Sequence, residues 1–481
     1  MKYEIVAGLE VHVELATASK LFCSCSAKFG AGPNENVCPA CAGMPGLPPI
    51  LNKKAVELGI AAGIVTNSKI NQRITFDKKN YFYPDLPSGY QVTQLFAPIC
   101  RNGWVDIETE AGKKRITLKQ IHLEEDAGKL MHDNRSSYVD FNRGSVPLAE
   151  IVSNPDFRTA EEVVAYLEKL RSLLCFAGVS DCKMQEGSMR CDVNISVRPA
   201  GSDKFGTRTE IKNLNSLKAI SAAMAFESQR HIDALEGSGE VIIQETRRWD
   251  DNLGQTFPMR EKEEADDYRY FPHSEILPVY ISDEWIEAVR FKLPESAAEK
   301  YERMTKQLGL PEDDCKIITG SKILADIFDK TNTCFNNPKE VVNWIIVELL
   351  NITRAGSKSG DNTGEDNITI DCEKFAKLIE LVSNNTINRT VGKKLLLKVF
   401  EEGIDPAKYI EENKLGMVSD TALIDEAVRA VLAENEESVR DYHNGNQKVT
   451  GFFVGRIMKA LGGKADPKIV NERFTYWIEK S

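Results

Sequence analysis

The most constraining feature of this chain is the run from Tyr3 to Leu15, which alternates along nearly its whole length. The odd positions Tyr3, Ile5, Ala7, Leu9, Val11, Val13 and Leu15 are apolar, and the even positions end in Glu10, His12 and Glu14. Successive side chains on a strand point to opposite faces. The run therefore predicts a strand that buries its odd set and gathers two carboxylates and an imidazole on the other face. Such a face suits a divalent-metal or acid/base site. A half-buried strand with a solvated polar face fits the same pattern.

Cys23-Ser24-Cys25 and Cys38-Pro39-Ala40-Cys41 present two close thiol pairs across a short loop. Four thiolates suit tetrahedral zinc, which would be structural because no coordination position stays open. Bound zinc would stabilise the loop by roughly 10–16 kcal/mol of apparent binding energy. The alternative is four reduced thiols without metal. The start Met1-Lys2-Tyr3-Glu4 lacks an apolar signal region. No run approaches the roughly 18 apolar residues of a membrane span. Cytoplasm is the expected compartment, where the 11 cysteines are thiols or ligands rather than disulfides. A net charge of -11 argues against a non-specific nucleic-acid binder but leaves room for a local basic patch.

The 481 residues predict an α+β chain. Residues 1–292 read as strand-rich, with partial alternation over Ile116–Glu125 and Arg190–Val197. Two helices interrupt this part. Thr159-Ala160-Glu161-Glu162 is a capping box opening one to about Phe176, and Leu214 to about Leu235 is the second. Helical patterns dominate from Leu293-Pro294, with Gly356–Asn367 as a polar loop and a break at Gly403–Pro406. The expected division is 1–292, 293–405 and a small helical tail, 406–481.

Other segments carry chemistry. Lys79, Tyr81 and Tyr83 lie in an aromatic and basic loop, fit to stack on a base or meet a phosphate, or simply to cover the core. His122-Leu123-Glu124-Glu125 is a second acidic-imidazole cluster, or a solvated acidic turn. Glu150 stands alone among apolar neighbours, where burial without a partner would cost several kcal/mol. Arg190, Asp192 and Asn194 share one strand face, and Arg208, Glu210 and Lys212 another. Charges of both signs beside an acidic centre suit a phosphorylated ligand with magnesium, although either face could be merely solvated. There is no G-x-x-x-x-G-K-[ST] loop, and no Gly- and Ser-rich amidase nucleophile segment.

Taken together, Gly8–His12, Cys23–Cys41, Asn80–Pro87, His122–Ala127, Met189–Asn194, Glu210–Ser216 and Gly451–Pro467 resemble the B subunits of bacterial aspartyl/glutamyl-tRNA amidotransferases. The resemblance covers essentially the whole chain. It implies an antiparallel-sheet cradle, a helical domain and a helical tail. It implies that ATP phosphorylates the side-chain carboxylate of glutamate on tRNA(Gln), or of aspartate on tRNA(Asn), and that ammonia displaces the phosphate. The ammonia would come from a separate amidase (glutaminase) subunit held by a small third subunit. By resemblance, Mg²⁺ is placed at Glu10, His12, Glu125 and Glu150, with Glu210 a weaker candidate. Lys79, Tyr81, Tyr83, Arg190 and Asp192 are candidates for ATP. In the tail, Lys448, Arg456, Lys459, Lys464 and Lys468 surround a glycine turn beside Phe452-Phe453-Val454. The apolar residues would pack the tail and turn the cations toward tRNA phosphates. The family often has Lys where this chain has Ser88, and Gln where it has Arg456. A phosphate role at Ser88 is thereby put in doubt, whereas Arg456 adds a cation to the tail. The competing reading is a non-catalytic tRNA-binding scaffold of the same complex.

Overall fold

The computed structural model describes residues 2–133, 135–239, 241–261, 268–356, 368–417, 421–443, 446, 449–462 and 465–480. Of the expected features, the polar loop at 357–367 and the tail lysines Lys448 and Lys464 lie outside the described residues. The chain forms two compact units, Met1–Ala297 and Ala298–Ser481.

The first unit is built on a nine-stranded sheet. Its order is Gln255–Glu261, Glu245–Asp250, Thr209–Lys212, Met189–Pro199, Tyr3–Glu14, Pro147–Ser153, Gly112–Glu125, Cys100–Thr109 and Lys69–Ile70. Neighbours are antiparallel except Thr209–Lys212 against Glu245–Asp250, which run parallel. The alternating first strand lies in the middle. Ala7, Leu9, Val11, Val13 and Leu15 are buried, whereas Glu10, His12 and Glu14 are half-buried. The apolar side joins one core with residues from helices Lys53–Val65, Ala160–Phe176 and Leu217–Leu235. Sheet and helices thus bury one face and leave the other for polar residues, as the α+β expectation requires.

Local chemistry sets the helix starts. The Thr159 hydroxyl accepts from the Glu162 amide at 3.2 Å, and the Glu162 carboxylate accepts from the Arg158 amide at 2.6 Å. This is the expected capping box with its return bond shifted one residue outward. The second helix begins three residues later than the pattern suggests. Ser216 caps it, with its hydroxyl accepting from the Ala219 amide at 3.0 Å.

A small three-stranded sheet joins Phe271–Pro272, Asp77–Asn80 and Tyr90–Thr93. It brings the segment around Tyr268 and Tyr270 to Lys79 and Tyr81.

The second unit is helical among its described residues. Its C-terminal part has its own core of Ile424, Val428, Phe453, Ile457, Val470, Phe474 and Ile478 with their neighbours. The rings of Phe453 and Phe474 stack at 5.2 Å. No helix among the described residues is long and apolar enough to cross a membrane.

Candidate functional site

Register decides which polar side chains meet. His12 lies opposite Glu150 on one neighbouring strand and opposite Arg190 on the other. Glu150 in turn lies opposite His122. Directly paired residues point to the same face, so His122, Glu150, His12 and Arg190 form one row across four strands. Glu10 lies opposite Asp192, Asn194 opposite Glu210, and Glu210 beside Thr246. This second group flanks the first on the same polar face.

The first row contains an imidazole–carboxylate cluster. His12 Nε2 is 3.3 Å from Glu150 Oε2 and 3.6 Å from Glu124 Oε1. His122 Nε2 is 2.9 Å from Glu150 Oε2. The Thr93 hydroxyl donates to Glu124 Oε2 at 3.3 Å. Burial by itself would lower the pKa of His12. The charge and hydrogen bond of Glu150, with Glu124 and Asp192 behind it, outweigh burial and raise it to about 9. His122 is raised to about 10 by the same competition, chiefly through Glu150 and Glu124. For Glu150, burial would raise the pKa, but the two imidazoles hold it well below the usual carboxylate range.

Single ligand atoms of His12, Glu124 and Glu150 converge within 4.8 Å, as do those of Glu10, Asp192 and Glu210. The first set offers an imidazole and carboxylate oxygens, and the second carboxylate oxygens alone; both are donors that a divalent cation takes. In the second set, Asn194 donates to Glu10 Oε1 at 2.9 Å, and Thr246 donates to Glu210 Oε2 at 2.8 Å. Lys212 pairs with Asp192 and, at 3.3 Å, with Glu210. Burial opposes the charge of Lys212, but Asp192 and Glu210 overcome it and raise the pKa.

The expected grouping of Glu10, His12, Glu125 and Glu150 is therefore redistributed. His12 and Glu150 meet, whereas Glu10 joins Asp192 and Glu210 instead. Glu125 is not brought to His12. Strand alternation turns it to the opposite face from Glu124, where its carboxylate accepts from the Val92 amide at 2.9 Å and the Ser145 hydroxyl at 2.6 Å. Burial raises its pKa to about 7.

The cations and aromatics border this face. The Lys79 ammonium lies 5.5 Å from the Tyr81 ring centre and 5.0 Å from that of Tyr268. Tyr81 is half-buried and Tyr83 is exposed. Arg190 donates to Asp126 at 2.8 Å. Sequence reasoning singled out the His122–Glu125 cluster but chose Glu125 from it for magnesium, where the fold brings His122 and Glu124 to Glu150 and His12; it did not consider Tyr268 or Tyr270. Burial, together with the charges of Glu150 and Glu124, raises the Tyr270 hydroxyl pKa.

The four cysteines Cys23, Cys25, Cys38 and Cys41 converge with sulfurs within 4.8 Å of one another. The Cys38 amide donates to Cys41 Sγ at 3.2 Å. Gly43 follows at φ +69°, where a Cβ would fall 2.9 Å from Ser88 Oγ. A fully buried Lys20 places its ammonium 3.6 Å from Cys41 Sγ and 2.9 Å from the Phe141 carbonyl. A hydrogen bond from Cys23 draws the Cys41 pKa down to about 4 despite burial, with help from Lys20. This donor set fits zinc.

In the tail, Arg456 and Lys459 lie exposed on helix Val449–Ala460, and Lys468 lies exposed on Pro467–Ile478. The guanidinium of Arg456 covers the Phe452 ring at 5.0 Å.

Two family models match the chain, one described as the GatB/GatE catalytic domain over residues 5–287 and one as the GatB domain over residues 326–476. The chain is 52% identical to an aspartyl/glutamyl-tRNA(Asn/Gln) amidotransferase B subunit of Lachnoclostridium phytofermentans, over all of this chain and 99% of that protein. It is 50% identical to a protein of the same name from Caldicellulosiruptor bescii, over the whole of both chains. It is 48% identical to another from Thermoanaerobacter pseudethanolicus, over 98% of each. On these matches, and with a fold and polar sheet face that agree, the chain belongs to the family of aspartyl/glutamyl-tRNA(Asn/Gln) amidotransferase B subunits.

Proposed function

We propose that this chain is the amidating subunit of a cytoplasmic tRNA-dependent amidotransferase acting on Glu-tRNA(Gln), Asp-tRNA(Asn) or both. The observation that carries this reading is the pair of ligand groups, His12–Glu124–Glu150 and Glu10–Asp192–Glu210, side by side on one face of a rigid sheet. A scaffold has no need to gather so many ionisable groups, each costly to bury.

The chemistry follows from the substrate. A side-chain carboxylate is a poor acyl donor, since its leaving group would be oxide. Transfer of the γ-phosphoryl group of ATP to a carboxylate oxygen releases ADP and creates a good leaving group. Ammonia then attacks the carbonyl carbon, and phosphate departs with the former carboxylate oxygen. Bound magnesium would neutralise phosphate charge and orient the in-line transfer. The residues of the two groups would hold it. Lys79 and Arg190 supply cations to phosphate oxygens. Tyr81 and Tyr268 offer flat apolar surface to a base, with Tyr83 at the exposed rim. Thr246, Asn194 and Thr93 orient the carboxylates.

The amidase and small third subunits, and the glutamine-derived ammonia, belong to the same reading. So do structural zinc at Cys23, Cys25, Cys38 and Cys41 and a division into cradle, helical domain and tail. Arg456, Lys459 and Lys468, with Lys448 and Lys464, would meet tRNA phosphates.

Isotope transfer tests the phosphorylation step. Glu-tRNA(Gln) labelled with ¹⁸O in the side-chain carboxylate should deliver one ¹⁸O to each phosphate released by the assembled complex. Phosphate without label would exclude an acyl-phosphate intermediate.

A further inference from the structure

Lys212 ends the Thr209–Lys212 strand. Its ammonium contacts two of the three carboxylates of the Glu10–Asp192–Glu210 group, paired with Asp192 and 3.3 Å from Glu210 Oε1. The carboxylate oxygens of that group lie within 4.8 Å of one another. The lysine thus holds two of the carboxylates that a divalent cation there would need. Clustered carboxylates stay ionised together only with a cation among them. Lys212 supplies one positive charge; a divalent ion would supply two, with closer oxygen contact. An ammonium and a divalent ion cannot share so small a space, because like charges repel most strongly where water is scarce.

The lysine also has room to leave. Its side chain is only half-buried and is carried on a flexible stem. The next residue, Asn213, takes a left-handed φ of 66°, and its side-chain amide donates to the Trp249 carbonyl at 2.9 Å. Register puts Lys212 beside the exposed Arg248, whose guanidinium lies 5.6 Å from the Phe257 ring. Two basic residues are therefore paired in register next to an acidic group, and an anion brought there would meet both.

We propose that Lys212 is a resident counter-ion that a divalent cation displaces from Glu10, Asp192 and Glu210, and that the freed ammonium then pairs with the phosphate the cation brings. The inference rests on the reading that these carboxylates receive the divalent cation of a nucleotide. It makes cation and nucleotide binding cooperative. Displacing the lysine is unfavourable until a phosphate offers it a new partner, and each ligand therefore raises the affinity of the other by the same factor.

The test is a Mn²⁺ titration of the full chain, read by the electron paramagnetic resonance of free Mn²⁺, with and without a non-hydrolysable ATP analogue. Lys212→Met should bind Mn²⁺ alone at least tenfold more tightly than the unaltered chain. Its affinity for the analogue at saturating Mn²⁺ should fall at least tenfold, and the cooperativity should shrink to what direct contact between cation and phosphate supplies. Lys212→Arg keeps the charge and should keep the Mn²⁺ affinity of the unaltered chain. Should Lys212→Met not fold, Lys212→Gln makes the same comparison. Glu10→Gln should remove one bound Mn²⁺. If Glu10→Gln removes none, the divalent-cation reading falls, and this inference with it. If Glu10→Gln removes one but Lys212→Met binds Mn²⁺ no more tightly, the exchange alone is overturned.

Discussion

Glu124 and Glu125 are adjacent in the chain and face opposite sides of the sheet. Glu124 Oε1 lies 3.6 Å from His12 Nε2, whereas the Glu125 carboxylate accepts from the Val92 amide at 2.9 Å. One residue of strand separates a carboxylate that meets the imidazole cluster from one that is held by Val92 and Ser145 on the other face. Glu124→Ala should lower tRNA-dependent ATP cleavage at least a hundredfold. Glu125→Gln, which keeps an acceptor for Val92, should stay within a few-fold of the unaltered enzyme. Phosphate release by the two variants checks this, and equal losses would contradict the assignment.

Glu125 also predicts a pH dependence. Its folded pKa of about 7 lies above the ordinary 4.5. Between those values the folded chain binds more protons than the unfolded chain, so stability falls as pH rises through that window. Above about pH 7 the penalty is complete, at most about 3 kcal/mol. Glu125→Gln should remove this contribution. Urea unfolding at pH 5 and pH 8 should show a smaller drop in the variant, and an identical drop would contradict a raised Glu125 pKa in the folded chain.

The cysteine cluster predicts about one zinc per chain by elemental analysis. Four thiolates around zinc carry net negative charge, which the fully buried Lys20, 3.6 Å from Cys41 Sγ, offsets. Lys20→Met should weaken zinc retention against a chelator by roughly 10–100-fold, as loss of an outer-shell partner does. A metal-free preparation with unchanged melting temperature and activity would contradict a structural zinc.

Much of this arrangement is legible in the sequence, and the reason is local. The first strand carries its period and its polar face in 13 consecutive residues, 3–15. The cysteine spacing and the Thr159 cap are equally short-range. What stayed hidden depends on pairing between distant segments. Alternation within Ile116–Glu125 says that Glu124 and Glu125 face opposite ways, but only the pairing of Glu150 with His122 says which face meets His12. Arg269 meets Asn80 across 189 positions, and with it come Tyr268 and Tyr270. No window of sequence announces that approach. The partition of the acids into two groups likewise follows from Glu10 facing Asp192 rather than Glu150.

The tail supplies a prediction about salt. Its core of Phe453, Ile457, Phe474 and their neighbours is separate from that of the first unit, while Arg456, Lys459 and Lys468 are exposed. Phosphate contacts make affinity fall with salt, and each lost contact lowers the slope of log K against log salt by about one. Deleting residues 407–481 should weaken tRNA binding and flatten that slope. Changing Arg456, Lys459 and Lys468 to Glu should reproduce part of the effect. Unchanged affinity and slope would place tRNA recognition elsewhere in the chain.

On the function proposed above, the carboxylates and imidazoles of the sheet face serve phosphoryl transfer to the substrate carboxylate. The most direct test is ATP cleavage by the assembled complex with saturating Glu-tRNA(Gln), comparing unaltered protein with Glu10→Ala and Glu124→Ala, and with glutaminase activity measured in parallel. Both variants should lose tRNA-dependent ATP cleavage and amide formation, while glutamine hydrolysis partly survives. Phosphate release and Gln-tRNA(Gln) formation at unaltered rates in both variants would contradict it.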